Sequence, residues 1–151
     1  MKRTVFLLLT ATAVSFLSLA PCTAQMSSKT EKYLGILKER PTPGYLFDRF
    51  YLSWMETSTV EELEEYLKKE AETSPEIILL LAFFYEKEGM NDQALKRYEE
   101  ALSKHPGSVR ILYHKAGLES DTLAFTKARE TLQKALSLNP GDEMNRKVQK
   151  L

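Results

Sequence analysis

Apolar residues along the middle of the chain recur at helical intervals, and nowhere do they alternate with polar residues as a half-buried strand would require. Leu46, Phe47, Phe50, Tyr51 and Trp54 fall at i, i+1, i+4, i+5 and i+8, which predicts a helix with a heavy aromatic face. Thr57-Ser58-Thr59 interrupts it. Val60, Leu63, Tyr66, Leu67 and Ala71 then form one stripe of a second helix, with Glu61, Glu62, Glu64, Glu65, Lys68 and Lys69 on its solvated side. Ser58 and Glu61 stand at capping-box spacing, which places the start of that helix at Ser58. Ahead of both, residues 25–44 read as a flexible segment. Gln25 to Thr30 is mostly polar, and Tyr33, Leu34 and Leu37 suffice for one short helix before Pro41-Thr42-Pro43-Gly44.

Ser74-Pro75-Glu76 has the chemistry of a helix start: a capping hydroxyl, a proline where a missing N–H costs nothing, and a carboxylate near the positive end of the helix dipole. Ile77 to Tyr85 contains no charge, which suits a helix packed between neighbours. Gly89-Met90-Asn91-Asp92 makes the next turn. From there the chain repeats: Ala94, Tyr98, Ala101 and Pro106 return 34 residues later as Ala128, Leu132, Ala135 and Pro140, and Ala82 returns as Ala116. Each unit divides into two helix-length patterns around a turn, so the repeating object is a helical hairpin. Small residues at Ala82, Ala94 and Ala101 allow close approach of the helices, Leu81, Tyr85 and Tyr98 fill the remaining space, and Pro106 ends the second helix. The expected architecture is all-α, a short solenoid of roughly three hairpins spanning 45–74, 75–108 and 109–141, closed by a capping helix over 142–151 through Met144, Val148 and Leu151.

The first unit resembles the tetratricopeptide repeat family, whose signature positions fall on Ile78, Leu81, Ala82, Tyr85, Ala94, Tyr98, Ala101 and Pro106. The second keeps Leu112, Ala116, Ala128, Leu132, Ala135 and Pro140. It departs at Lys115 and Glu119, where apolar residues are expected, and its Asp121-Thr122-Leu123 turn lacks glycine, so a looser or partly exposed first helix is expected there. The resemblance implies a concave groove lined by the first helices of successive hairpins, here by Glu76, Leu79, Phe83, Glu86, Arg110, Tyr113 and Gly117. Phe83 and Tyr113 would be its aromatic anchors, unless Phe83 packs against the preceding hairpin. Some relatives clamp a terminal carboxylate with lysine and asparagine at positions held here by Leu79 and Phe83, so capture of that kind is not expected. The run Pro43-Gly44-Tyr45-Leu46-Phe47-Asp48-Arg49-Phe50-Tyr51 is similar to a segment preceding such repeats in large secreted proteins of planctomycete-type bacteria.

The amino terminus changes where this module would act. Lys2 and Arg3 precede an apolar run from Val5 to Leu19, shorter than the ~20 residues a bilayer crossing needs, and Pro21-Cys22-Thr23-Ala24 follows. This is the pattern of a secretory signal peptide over 1–24 with cleavage after Ala24, implying a secreted or periplasmic protein. A lipoprotein anchored at Cys22 is the alternative, and Pro21 disfavours it. Cleavage removes the only cysteine and two basic residues from a chain with 21 basic and 21 acidic residues. The mature protein then has no disulfide, no cysteine nucleophile and no basic stripe for nucleic acid.

The inventory for chemistry is thin. His105 stands at a helix end and His114 inside a helix, neither with a partner at ligand spacing, and no phosphate loop, metal motif or nucleophile elbow is present. No enzyme activity, cofactor, metal or nucleic acid is expected. The sequence points to a non-enzymatic adaptor that binds a peptide or partner domain outside the cytoplasm. Its rival is the amino-terminal accessory part of a larger secreted enzyme or assembly protein.

Overall fold

The computed structural model describes residues 26–138 together with positions 141, 146, 149 and 150. The expected signal peptide with Cys22, the repeat proline Pro140, and Met144, Val148 and Leu151 of the expected cap lie outside the described residues. Seven helices, and no strand, are found among the described residues: α1 (Ser28–Glu39), α2 (Tyr45–Met55), α3 (Val60–Ala71), α4 (Pro75–Lys87), α5 (Asn91–Lys104), α6 (Val109–Asp121) and α7 (Phe125–Ser137). They pack as hairpins, α4 on α5 and α6 on α7, with α3 against α4 and α5 against α6 linking successive units. An all-α solenoid of paired helices is thus the architecture of the described residues.

The repeat is visible in the backbone itself. Helix α6 begins and ends 34 residues after α4, and α7 begins 34 residues after α5. In the first turn Met90 N–H donates to Tyr85 O at 2.8 Å and Gly89 N–H to Glu86 O at 3.0 Å. In the second, Ala124 N–H donates to Glu119 O at 2.7 Å and Leu123 N–H to Ser120 O at 2.9 Å. Both are Schellman closures, which need a left-handed residue just past the helix. Gly89 supplies it at φ 71° without strain, whereas Leu123 occupies the same position at φ 62°. Its side chain is 74% exposed, so no burial offsets the strain. Leu123→Gly should therefore raise stability by about 0.5–1 kcal/mol, the relief of a left-handed side chain less the entropy glycine adds to the unfolded chain. Denaturant midpoints of the two proteins check this.

The helix ends follow local chemistry. Helix α5 stops at Lys104, and His105 adopts a non-helical φ of −132° as the residue before Pro106 must. Pro106 itself is exposed, so it terminates the helix and packs nothing. Helix α3 is capped by Thr59, whose side chain accepts from Glu62 N–H while the Glu62 carboxylate accepts from Thr59 N–H. The expected box on Ser58 and Glu61 is thus displaced by one residue, because consecutive hydroxyl and glutamate residues satisfy the same spacing twice. Ser74 precedes Pro75 as expected, but its hydroxyl donates to the Glu76 carboxylate at 2.9 Å instead of capping the backbone.

The amino-terminal segment departs most from the sequence reading. Residues 25–44, expected to be a flexible segment with one short helix, carry that helix as the longer, docked α1, capped by the Ser27 side chain, with Thr30, Leu34 and Leu37 buried. Thr30 Oγ1 lies 2.8 Å from Ser53 Oγ in the α1–α2 seam, and Lys29 pairs with Glu56 at 2.7 Å. Helix α1 also touches α4, and its Lys38 reaches Glu70 of α3 at 3.1 Å. Helix α2 consequently packs more closely on α1 than on α3, which it meets through Trp54 and Tyr66, ring centroids 5.0 Å apart. The span 45–74 is therefore not a hairpin closed on itself: α2 pairs with α1, and α3 pairs with α4.

One core runs from α1 into α6, where it includes Ile111 and Leu118, with Ile77, Ile78, Leu80, Leu81, Ala82 and Phe84 of α4 at its centre. Every inward repeat position of the first hairpin is in it: Ile78, Leu81, Ala82, Tyr85, Ala94, Tyr98 and Ala101 are buried. In the second hairpin Leu112, Ala116, Ala128 and Ala135 are buried, whereas Leu132, smaller than the Tyr98 it replaces, is only half-buried. Lys87 fastens α4 to α2, pairing with Asp48 at 2.7 Å over the Tyr51 ring.

Candidate functional site

The seven residues expected to line one groove do not come together: three share a cavity, and Phe83, Glu86, Tyr113 and Gly117 lie elsewhere. Glu76 and Leu79 near the start of α4, and Arg110 at the start of α6, converge on one open cavity of about 620 Å³. Leu79, Ala101 and Ile111 are buried side chains that give it an apolar floor, Pro41 closes one wall, and Lys104, His105 and Arg110 bring basic groups to its rim. The α5–α6 turn, His105 to Ser108, forms the edge. This corner was invisible in the sequence because it is assembled from a linker, two helix starts and one helix end.

Phe83 does not belong to any surface. It is 2% exposed, with the Phe47 ring 5.9 Å away in a T-shaped contact, His114 at 5.5 Å and Tyr98 at 6.3 Å. Its proposed role as an exposed anchor is corrected by this packing: α2 supplies Phe47 to cover a position that an isolated first repeat would leave open. Leu79, 8% exposed, is likewise a buried residue and reaches the surface only as part of the cavity's floor. Tyr113 is half-buried, packed near Ala135 and in T-shaped contact with His114 at 5.5 Å. Gly117 lies further along α6 with open space where a side chain would project.

Glu86, at the far end of α4, is held by a short hydrogen bond from the Tyr98 hydroxyl. Burial raises the pKa of its carboxyl, the Tyr98 bond opposes that, and the charge of Asp121 adds to the rise. A carboxyl whose folded pKa lies above its unfolded value binds its proton more tightly in the native state. Its contribution to stability is complete below the unfolded value and is lost as pH rises through the folded one. At neutral pH the ionised Glu86 is therefore a burden. Glu86→Gln keeps an acceptor for Tyr98 and should raise the melting temperature at neutral pH, with the advantage shrinking as pH falls toward about 4. Melting curves across that range test the sign.

The second hairpin holds a polar interior instead of the loosened helix expected from Lys115 and Glu119. Glu119 is 2% exposed, accepts from Lys115 Nζ at 2.9 Å and from the Thr131 hydroxyl at 2.8 Å. Lys115 also approaches Glu99 of α5 at 3.7 Å. The two departures from the repeat pattern satisfy each other at i, i+4 and tie α5, α6 and α7 together. On α3, Glu64 accepts from Tyr85 Oη at 2.9 Å and pairs with Lys68, while Glu61, Glu62 and Glu65 remain exposed.

Helical hairpins repeated at one interval, with a graded surface and an apolar interior, define an α-helical repeat protein, a class whose working part is its surface. Comparison with protein families gives a match to the tetratricopeptide repeat over residues 87–151, from the end of α4 through α7 and beyond. That stretch matches a repeat type that generally mediates protein–protein interaction and is typically non-catalytic, and no catalytic family matches. No curated protein matches the sequence.

Proposed function

We propose that the protein is a non-enzymatic adaptor that works outside the cytoplasm, holding a peptide or partner domain against the face formed by the starts of α4 and α6. The observation that carries this reading is the cavity in which Glu76, Leu79 and Arg110 meet Lys104 and His105. It combines an apolar floor with a few polar groups, the usual composition of a recognition site. The tetratricopeptide match supports a protein partner. The export signal read over 1–24 supports the location, and the intact mass of the mature protein separates cleavage after Ala24 from lipidation at Cys22.

The test is a pull-down from the native envelope fraction with the exported protein as bait, read by mass spectrometry. Arg110→Glu should deplete the captured partner, and Tyr113→Ala should weaken capture to a smaller degree. If both variants retain every partner of the wild type, this face is not the binding surface.

A further inference from the structure

We infer that the cavity between the starts of α4 and α6 selects a peptide segment in which an aliphatic side chain is flanked by aspartate or glutamate. The inference rests on the adaptor reading above and adds the chemistry of the partner. Its first support is the imbalance of charge around the cavity. Lys104 and Arg110 both line it, whereas Glu76 is the single carboxylate that does, and Glu76 is already engaged by the Ser74 hydroxyl at 2.9 Å.

The second support is that neither of these cations is held by a close carboxylate, as several other lysines are. Lys29, Lys38, Lys68 and Lys87 each meet a carboxylate at 2.7, 3.1, 2.6 and 2.7 Å respectively. Lys104 comes no nearer than 4.0 Å to Glu100, and Arg110 has no hydrogen bond or ion pair among the described residues. A guanidinium with five donors and no acceptor is suited to a carboxylate brought in by a ligand.

The third support is the floor. Leu79, Ala101 and Ile111 present carbon to the cavity, and the volume of about 620 Å³ accommodates an aliphatic side chain with adjoining backbone. An aliphatic residue alone would leave the cations unanswered, and an acidic segment alone would leave the floor wet. The combination satisfies both. Carboxylates on side chains, not at a chain terminus alone, are specified because two cations, Lys104 and Arg110, line the one open cavity and a segment can answer both.

The experiment uses the mature full-length protein and three fluorescent peptides blocked at both ends: Asp-Glu-Leu-Asp-Glu, Asp-Glu-Ser-Asp-Glu and Lys-Lys-Leu-Lys-Lys. Fluorescence anisotropy should show the first binding at least about tenfold more tightly than either other, and Arg110→Glu or Lys104→Glu should weaken it by a similar factor. The affinity should fall with added salt. Both substitutions are at the rim, and unchanged melting temperatures establish that the fold is intact. Equal binding of the serine or lysine peptide, or an affinity within twofold of wild type in both variants, overturns the inference. Either result leaves the adaptor reading in place, because that reading stands or falls on the pull-down.

Discussion

Phe83→Ala is expected to destabilise the protein strongly, not to disarm it. A phenylalanine that is 2% exposed and ringed by Phe47, Tyr98 and His114 cannot be truncated without a cavity at the junction of α2, α4 and α6. The loss should be about 3–5 kcal/mol, a large part of the 5–15 kcal/mol that holds a typical domain together. Chemical denaturation measures it directly. A change below about 1 kcal/mol would mean that Phe83 is not packed as described and would restore it as a surface anchor. Tyr113→Ala provides the contrast, since a half-buried ring at a partly open face should cost less.

Glu119→Ala is the second large effect. It would leave the Lys115 ammonium, whose side chain is 16% exposed, and the Thr131 hydroxyl without their buried acceptor, at a cost of about 3 kcal/mol. The repeat suggests the remedy. Lys115 and Glu119 stand where the first hairpin has Leu81 and Tyr85, so Lys115→Leu combined with Glu119→Tyr copies a solution the protein already uses. The double variant should return to within about 1 kcal/mol of wild type. If the losses from the single substitutions simply add in the double, the buried pair is not coupled and the network has been misread.

The parts of the fold that were legible in the sequence are those governed by local period. Helices α4 to α7 announced themselves through Ile77 to Tyr85, the alanines at 34-residue spacing, and Pro106. Helix α1 was legible only as a short helix on Tyr33, Leu34 and Leu37, because its buried stripe begins at Thr30, and a threonine that finds Ser53 across the seam looks like a solvated residue in one dimension. The same limit explains Lys115 and Glu119: a charged pair reads as exposure until Thr131 is seen to complete it. For the site, Glu76, Leu79 and Arg110 were reached through the resemblance to a known repeat. Lys104, His105 and Pro41 were missed because membership of that cavity depends on how the α1–α2 linker and the end of α5 meet, which no spacing along the chain encodes.

The two turns, one on Gly89 and one on Leu123, bear on how such proteins are recognised. The backbone bonds are the same in both, so glycine is a preference worth about 1 kcal/mol and not a condition of the hairpin. That sum is small enough to drift away in a lineage while the turn persists. A search keyed to the glycine would pass over the second hairpin, and a count of repeats by motif would fall short of the count by hydrogen bonds. The durable signature of this turn is its bonding pattern, which stands with glycine in one hairpin and leucine in the other.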